Sequence, residues 1–205
     1  LQAERLAIQG GLKPAQEEAV QMQLEEIARL NQIIEELLFL SRAEASAITL
    51  QRSPQDARRF LEMFASDAGV LAESRGQQFE AEITGDATVT FDPKWIRQVL
   101  LNLLTNGLKA TPAGGMVRLK AAQIDGIWRV AIEDQGPGVP KDQRERIFER
   151  FVRLGKDDQT GSGLGLAISR SIIGLHRGTI RAEDATDGTG LRVVFELALD
   201  QAEAA

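Results

Sequence analysis

Cysteine is absent from the 205 residues, which excludes a disulfide framework and any thiol-based metal site. Histidine occurs once, at His176, so chemistry that needs an imidazole must use that residue or one outside this sequence. No apolar run approaches the ~20 residues of a membrane-spanning helix, and no secretory pattern opens the chain. Basic patches interleaved with aromatics are also missing. With a net charge of -6, that argues against a nucleic-acid surface. The sequence opens at Leu1 rather than methionine, and we expect it to be a piece of a longer protein. What is present is a 43% hydrophobic content, enough for one or two small globular domains.

The stretch Asn102–Lys109 organises the rest. Val99, Leu100, Leu103, Leu104 and Leu108 recur at helical spacing. Asn102 and Asn106 are four apart, so they share a face, and Lys109 stands three beyond. Carboxamide oxygens can ligate a hard cation such as Mg²⁺, and an ammonium can meet phosphate charge. Taken alone, the same face also suits a helix with a polar solvent side.

Upstream, Gly10, Gly11 and Pro14 interrupt the end of one helix. A second, long helix is expected from Gln16 to Arg42. Val20, Leu24, Ile27, Ile34 and Leu38 recur at steps of four and three, with Asn31 in the polar gap. Leu30, Ile33, Leu37 and Leu40 widen the stripe. A face this broad suits a multi-helix bundle, through dimerisation or through packing on the chain's own domain. Ala47–Arg52 is expected as a short strand, and Ser53-Pro54 as the cap of a helix reaching about Ser74. Phe79–Thr84 alternates like a half-buried strand, with Gly85-Asp86 as a hairpin turn into Ala87–Phe91. Strands at Met116–Gln123 and Ile127–Glu133 meet at Asp125-Gly126. A helix at Gly165–Leu175 and a hairpin of Thr179–Glu183 with Leu191–Leu199 close the chain. Helices followed by mixed strands and helices, with antiparallel pairs, predict an α+β sandwich and not an alternating βαβ sheet.

Two glycine loops follow the asparagine helix. In Asp134-Gln-Gly136-Pro-Gly138-Val-Pro140, glycines and prolines shape a tight turn that a ligand can approach. The Asp134 carboxylate can accept a hydrogen bond there, for instance from an adenine amino group. Gly161-Ser-Gly163-Leu-Gly165-Leu166 feeds a helix whose first N–H groups form an anion site. It is neither a Rossmann fingerprint, whose third glycine would fall where Leu166 stands, nor a Walker A loop, because no Gly-Lys-Ser/Thr follows. Between them, Ile147–Phe151 and the polar segment 154–160 suit an anchored lid, or a small cluster under a loop. Arg150 and Arg153 could reach phosphates there, or be ordinary exposed arginines with no such role.

In this order the motifs resemble the catalytic ATP-binding domain of sensor histidine kinases, within the ATPase group that includes gyrase, the heat-shock chaperone ATPase and mismatch-repair ATPases. Asn102–Lys109 resembles the N box, Asp134–Gly138 the first glycine box, Ile147–Phe151 the F box and Gly161–Leu166 the second glycine box. Gly174-Leu-His176-Arg-Gly178 resembles the His-Gly-Gly close of the next helix, with Arg177 replacing the first glycine. Gly107 stands for the usual alanine and Ser162 for a common threonine. The resemblance implies a two-layer α/β sandwich of the Bergerat type over 46–205, preceded over 1–45 by a helical hairpin for dimerisation and phosphotransfer.

It also implies roles. Asn106 would ligate Mg²⁺ with Asn102 assisting, and Lys109 would contact the phosphates. Asp134 would bind the adenine amino group in a pocket shaped by Gly136 and Gly138. Gly161, Gly163 and Gly165 would wrap the triphosphate, with Phe148, Ser162, Leu164 and Leu166 completing the ATP-binding set. Leu1–Leu6 resembles the sequence just after the phosphoacceptor box, which would place the acceptor histidine six residues before Leu1, leaving His176 a structural part. The implied protein is the cytoplasmic kinase core of a two-component sensor, a homodimer through 1–45 that passes phosphate to a response regulator receiver domain. Membrane attachment would come only through segments outside these residues, and this piece would not autophosphorylate. Two other readings stay open: an ATP-driven conformational switch and a non-catalytic nucleotide-binding regulator. The first is weakened by Asn102, which stands where water-activating relatives carry a glutamate, because an amide is no general base.

Overall fold

The computed structural model describes residues 14–153 and 162–199. The first-helix end, the Leu1–Leu6 resemblance, the segment 154–160 and Gly161 lie outside the described residues.

Helix α1 spans Pro14–Glu44, close to expectation. Strand β1 is Ser53–Asp56, and α2 is Ala57–Glu73. Both differ from the sequence expectation. Residues 47–52 are not a strand, and Pro54 sits inside β1 instead of opening a helix. The N-cap is Asp56, whose carboxylate accepts the Arg59 N–H at 2.9 Å. Proline is tolerated because, among the described residues, β1 has one partner only, β3 (Thr88–Phe91), in a two-stranded antiparallel sheet.

The main sheet joins β2 (Gln78–Ile83), β4 (Met116–Ile124), β5 (Ile127–Glu133), β7 (Leu191–Ala198) and β6 (Thr179–Asp184) in that spatial order. The expected hairpin at Gly85-Asp86 does not form. Strand β2 pairs parallel with β4, while β3 leaves the sheet to pair with β1. The hairpin at Asp125-Gly126 does form. Both residues have positive φ, 50° and 75°, as a two-residue turn between right-twisted strands requires.

Helices α2, α3 (Pro93–Ala110) and α4 (Gly165–Leu175) cover one face of this sheet. Alternation along the strands puts Val117, Leu119, Trp128, Val130, Ile132 and Phe195 beneath them, all buried. The opposite face carries Arg118, Lys120, Arg129 and Glu196. There Arg129 meets Glu196 at 2.6 Å and Arg118 meets Asp187 at 2.6 Å. One apolar and one charged face make a two-layer α+β sandwich, as expected. An aromatic run fills its centre: Phe60 meets Phe91 edge-on at 5.0 Å, and Phe91 stacks on Trp128 at 5.2 Å.

Helix α1 docks its C-terminal half on the helical layer. Leu40 is buried, and the Phe39 ring lies 4.8 Å from that of Trp95. Ile27, Leu30, Ile34 and Leu38 on its other side keep half or more of their surface in solvent.

Candidate nucleotide-binding site

The sandwich opens into a cleft of about 730 Å³ between α3, α4, the C-terminal end of β5 and α1. Helix α3 starts at Asp92-Pro93, with the Asp92 carboxylate accepting the Lys94 N–H at 3.1 Å and proline in the first turn. That start sets the rotation of the helix. Val99, Leu100, Leu103, Leu104 and Leu108 point into the core, so Asn102, Asn106 and Lys109 face the cleft.

The three polar residues are not equivalent. Asn106 and Lys109 are exposed and have no side-chain hydrogen bond or ion pair among the described residues. Asn102 is engaged. Its Nδ2 donates to the Gly165 carbonyl at 3.0 Å and approaches Ser169 Oγ at 3.4 Å, while its Oδ1 accepts from Gln98 at 3.0 Å. Asn102 therefore fastens α3 to the first turn of α4.

That first turn carries no side-chain cap. Gly165 and Leu166 line the cleft, and the donors of an uncapped helix start carry partial positive charge toward it. Just before it, Gly163 holds φ +71°, and a Cβ there would lie 3.0 Å from the Phe151 backbone. The Phe151 N–H donates to Gly163 O at 3.0 Å, which brings together the two ends of the segment between the F box and the second glycine box.

Asp134 sits where β5 ends and is nearly buried. Its Oδ1 accepts the N–H groups of Gly136 at 2.8 Å and Leu191 at 3.1 Å. No donor among the described residues reaches Oδ2, so this oxygen is left as an acceptor for the cleft. Burial pushes the carboxyl above the usual aspartate range, and Glu133 adds to this. The two backbone N–H groups oppose it.

The cleft thus gathers Asn102, Asn106, Lys109, Asp134, Gly138, Ser162, Gly163, Gly165 and Leu166. Three expected residues act from behind it. A Cβ on Gly136 would lie 2.8 Å from that of Ala110, so glycine there lets the loop close on α3. Phe148 and Leu164 are buried in the core. Arg153 lines the cleft, whereas Arg150 pairs with Glu44 of α1.

Two contributors escape the motif reading. Gly190 (φ +102°) lies so close to Asp134 O that a Cβ would overlap it at 1.9 Å, and the next residue supplies the Leu191 N–H. The pattern Gly188-Thr-Gly190 in the last hairpin was the available signal. Glu36 of α1 enters from a helix that sequence spacing leaves without an address.

His176 lies at the far end of α4 and is buried. Its Nε2 accepts the Asp92 N–H at 3.0 Å and its Nδ1 faces Ile172 O at 2.8 Å, so both ring nitrogens are committed.

The cleft sets an ionisable acceptor at one end against amide, ammonium and helix-start donors at the other, the chemistry that an ATPase-type site requires. Residues 91–201 match the family of histidine kinase-, DNA gyrase B- and HSP90-like ATPases, and the chain belongs to that family. Over 98% of its length it is 33% identical to the signal transduction histidine-protein kinase BaeS of Escherichia coli K12, spanning 44% of that protein. It is 34% identical, over 86% of its length, to the adaptive-response sensory kinase SasA of Synechococcus sp. strain JA-3-3Ab, and spans 49% of it. A crystal structure of full-length ShkA in complex with AMPPNP superimposes on 97% of this chain with a TM-score of 0.82 and 33% identity, covering 42% of that chain. The chain therefore spans less than half the length of these relatives. No helix among the described residues is long and apolar enough to cross a membrane.

Proposed function

We propose that this chain is the kinase core of a two-component sensor histidine kinase, with 1–45 as dimerisation helices and 46–205 as the ATP-binding domain. The observation that carries the proposal is the pair Asn106 and Lys109, uncommitted among the described residues, facing Asp134 and the uncapped start of α4 across one cleft. ATP would lie with its adenine amino group donating to Asp134 Oδ2. Its phosphates would run toward Lys109 and the N–H groups of α4. The donor set fits Mg²⁺, because Asn106 offers an oxygen ligand with no competing partner among the described residues and the nucleotide would supply the rest. Mg²⁺ would neutralise charge on the phosphate oxygens. Asn102 would act mainly by holding α4 against α3, with its amide spent on Gly165 and Ser169.

The γ-phosphoryl group would pass to an imidazole nitrogen outside these residues and then to a response-regulator aspartate. Such a transfer depends on positioning more than on covalent help from the protein. Asn102 has no base character, which disfavours water activation and so favours a kinase over an ATP-driven switch. The half-exposed stripe on α1 supports a homodimer, since an apolar face of this breadth marks an interface. The need for ATP supports a cytoplasmic position for the domain.

The test is labelled phosphate transfer. The chain alone should bind Mg·ATP without labelling itself. A separate, histidine-containing partner helix pair from the longer protein should become labelled with acid-labile, base-stable phosphate when the chain is added. Absence of nucleotide binding, or labelling of His176, would overturn the proposal.

A further inference from the structure

Helix α1 reaches the nucleotide cleft with a carboxylate. Glu36 Oε2 accepts a hydrogen bond from Ser162 Oγ at 2.7 Å. Ser162 Oγ in turn accepts the Leu164 N–H at 3.3 Å, at the residue that precedes the first turn of α4. An anion is therefore already linked to the uncapped helix start through one hydroxyl. Its position is held by neighbours along α1. Ile33 packs on the core, Leu40 is buried, Phe39 lies against Trp95, and Glu44 pairs with Arg150, eight residues or ~12 Å further along the helix. Arg29, Gln32, Ile33 and Glu36 together form the α1 wall of the cleft.

A phosphate oxygen and a carboxylate oxygen make the same demand on this corner. Both need the Ser162 hydroxyl proton and the positive end of α4, and both are negative. The adenine end, at Asp134, is built from other elements and would not feel the conflict. Resting on the nucleotide-binding proposal above, we infer that Glu36 is a specificity-determining residue of the site: from the docked helix α1 it competes with the terminal phosphate, weakening ATP more than ADP. Movement of α1 away from the cleft would withdraw the competitor, so the position of the helix would set the affinity for ATP.

Glu36→Gln tests this with little disturbance to the fold, because the amide oxygen can still accept from Ser162 while the charge is gone. Calorimetric titration of the chain with Mg·ATP and with Mg·ADP should show ATP tightened about five- to tenfold and ADP less than about twofold. Glu35→Gln, an equal charge change on an exposed neighbour that does not line the cleft, should leave both unchanged. Unchanged ATP affinity in Glu36→Gln would overturn the inference and leave the nucleotide proposal standing. Weaker ATP binding, as expected of a carboxylate that assists the metal, would overturn it too. So would equal gains for ATP and ADP, or an equal gain in Glu35→Gln. Failure of wild type and variants alike to bind either nucleotide would remove the nucleotide proposal and this inference together.

Discussion

The imidazole of His176 accepts the backbone N–H of Asp92 at 3.0 Å, and so ties the end of α4 to the start of α3. Asp92 is itself a hub. One carboxylate oxygen caps α3 at Lys94, and the other accepts the Gln51 N–H at 2.8 Å, where the chain enters the sandwich from α1. Arg52 adds a hydrogen bond to Leu175 O beside it. The two helices that frame the cleft are thus clamped at their remote ends, opposite the Asn102–Gly165 contact beside the cleft.

This clamp makes stability depend on pH. Burial holds His176 below the ordinary histidine value near 6.5, and the nearby Arg52 charge lowers it further, while Ile172 O and Asp92 oppose this. A lowered value means that the unfolded chain takes up the proton first. The clamp's contribution is then complete above about pH 6.5 and is lost as pH falls from there toward the lowered value. Denaturant unfolding from pH 8 to pH 5 should show that decline. His176→Ala should remove its histidine component and cost about 1–3 kcal/mol at pH 8, through the orphaned Asp92 N–H.

Arg177 follows His176 with φ +60°. Its N–H donates to Gly174 O at 2.8 Å and the Gly178 N–H to Ile173 O at 2.9 Å, the two bonds of a Schellman helix end. The left-handed position is the one at which glycine is favoured. Arg177→Gly should therefore raise stability by about 1 kcal/mol, read as a shift in denaturant midpoint at constant slope. Gly178→Ala should do the reverse, since its Cβ would lie 2.4 Å from Glu196 O.

The Asp134 carboxylate gives a sharper test of the site. In Asp134→Asn the amide oxygen can keep the Gly136 and Leu191 N–H bonds, but the group facing the cleft becomes a donor. Mg·ATP affinity should fall about 10- to 100-fold with little change in melting temperature. Because burial raises this carboxyl, acidification should weaken wild-type binding at a higher pH than an ordinary aspartate near 3.9 would give. Titrations from pH 7.5 to 5 would show it, and a loss of fold in Asp134→Asn would count against the assignment.

Much of this arrangement is legible in the residues. Helix α4 begins at Gly165 and ends at Leu175 as the spacing predicts, and Asp125-Gly126 turns β4 into β5. Asn106, Lys109 and Asp134 converge because the hydrophobic pattern of α3 fixes which way its polar face looks. Strand partners were less legible. Alternation in Phe79–Thr84 specifies a buried face, but a period of two carries no information about a neighbour, and Gly85-Asp86 bends the chain away from the sheet as readily as back along it. Ser53-Pro54 combines a cap residue with a first-turn residue, yet Asp56 three positions later completes the cap. Glu36 had no local signal at all, since one acid on a long amphipathic helix gains meaning only when the helix docks.

The exposed stripe on α1 predicts a dimer. Ile27, Leu30, Ile34 and Leu38 lie opposite the docked side, so a second chain can cover them without disturbing Leu40 or Phe39. Light scattering at micromolar concentration should give twice the chain mass. Ile34→Asp with Leu38→Asp should give one chain mass with the sandwich still folded by circular dichroism. A monomeric wild type would refute the dimer.

The two asparagines should separate in a single experiment, although they share a helical face. The Asn106 side chain makes no hydrogen bond among the described residues, so Asn106→Ala should leave stability within about 0.5 kcal/mol of wild type. What it should lose is the dependence of ATP affinity on Mg²⁺: the ratio of dissociation constants with chelator and with metal should approach one. Asn102 is bonded to Gly165 O and to Gln98, and its removal leaves part of the α3–α4 joint without partners. Asn102→Ala should cost about 1–2 kcal/mol of stability. It should weaken nucleotide binding with and without metal by a similar factor, because the displaced α4 start serves the phosphates in both cases. If instead Asn102→Ala removes the Mg²⁺ dependence and Asn106→Ala does not, the metal ligand has been assigned to the wrong turn of α3.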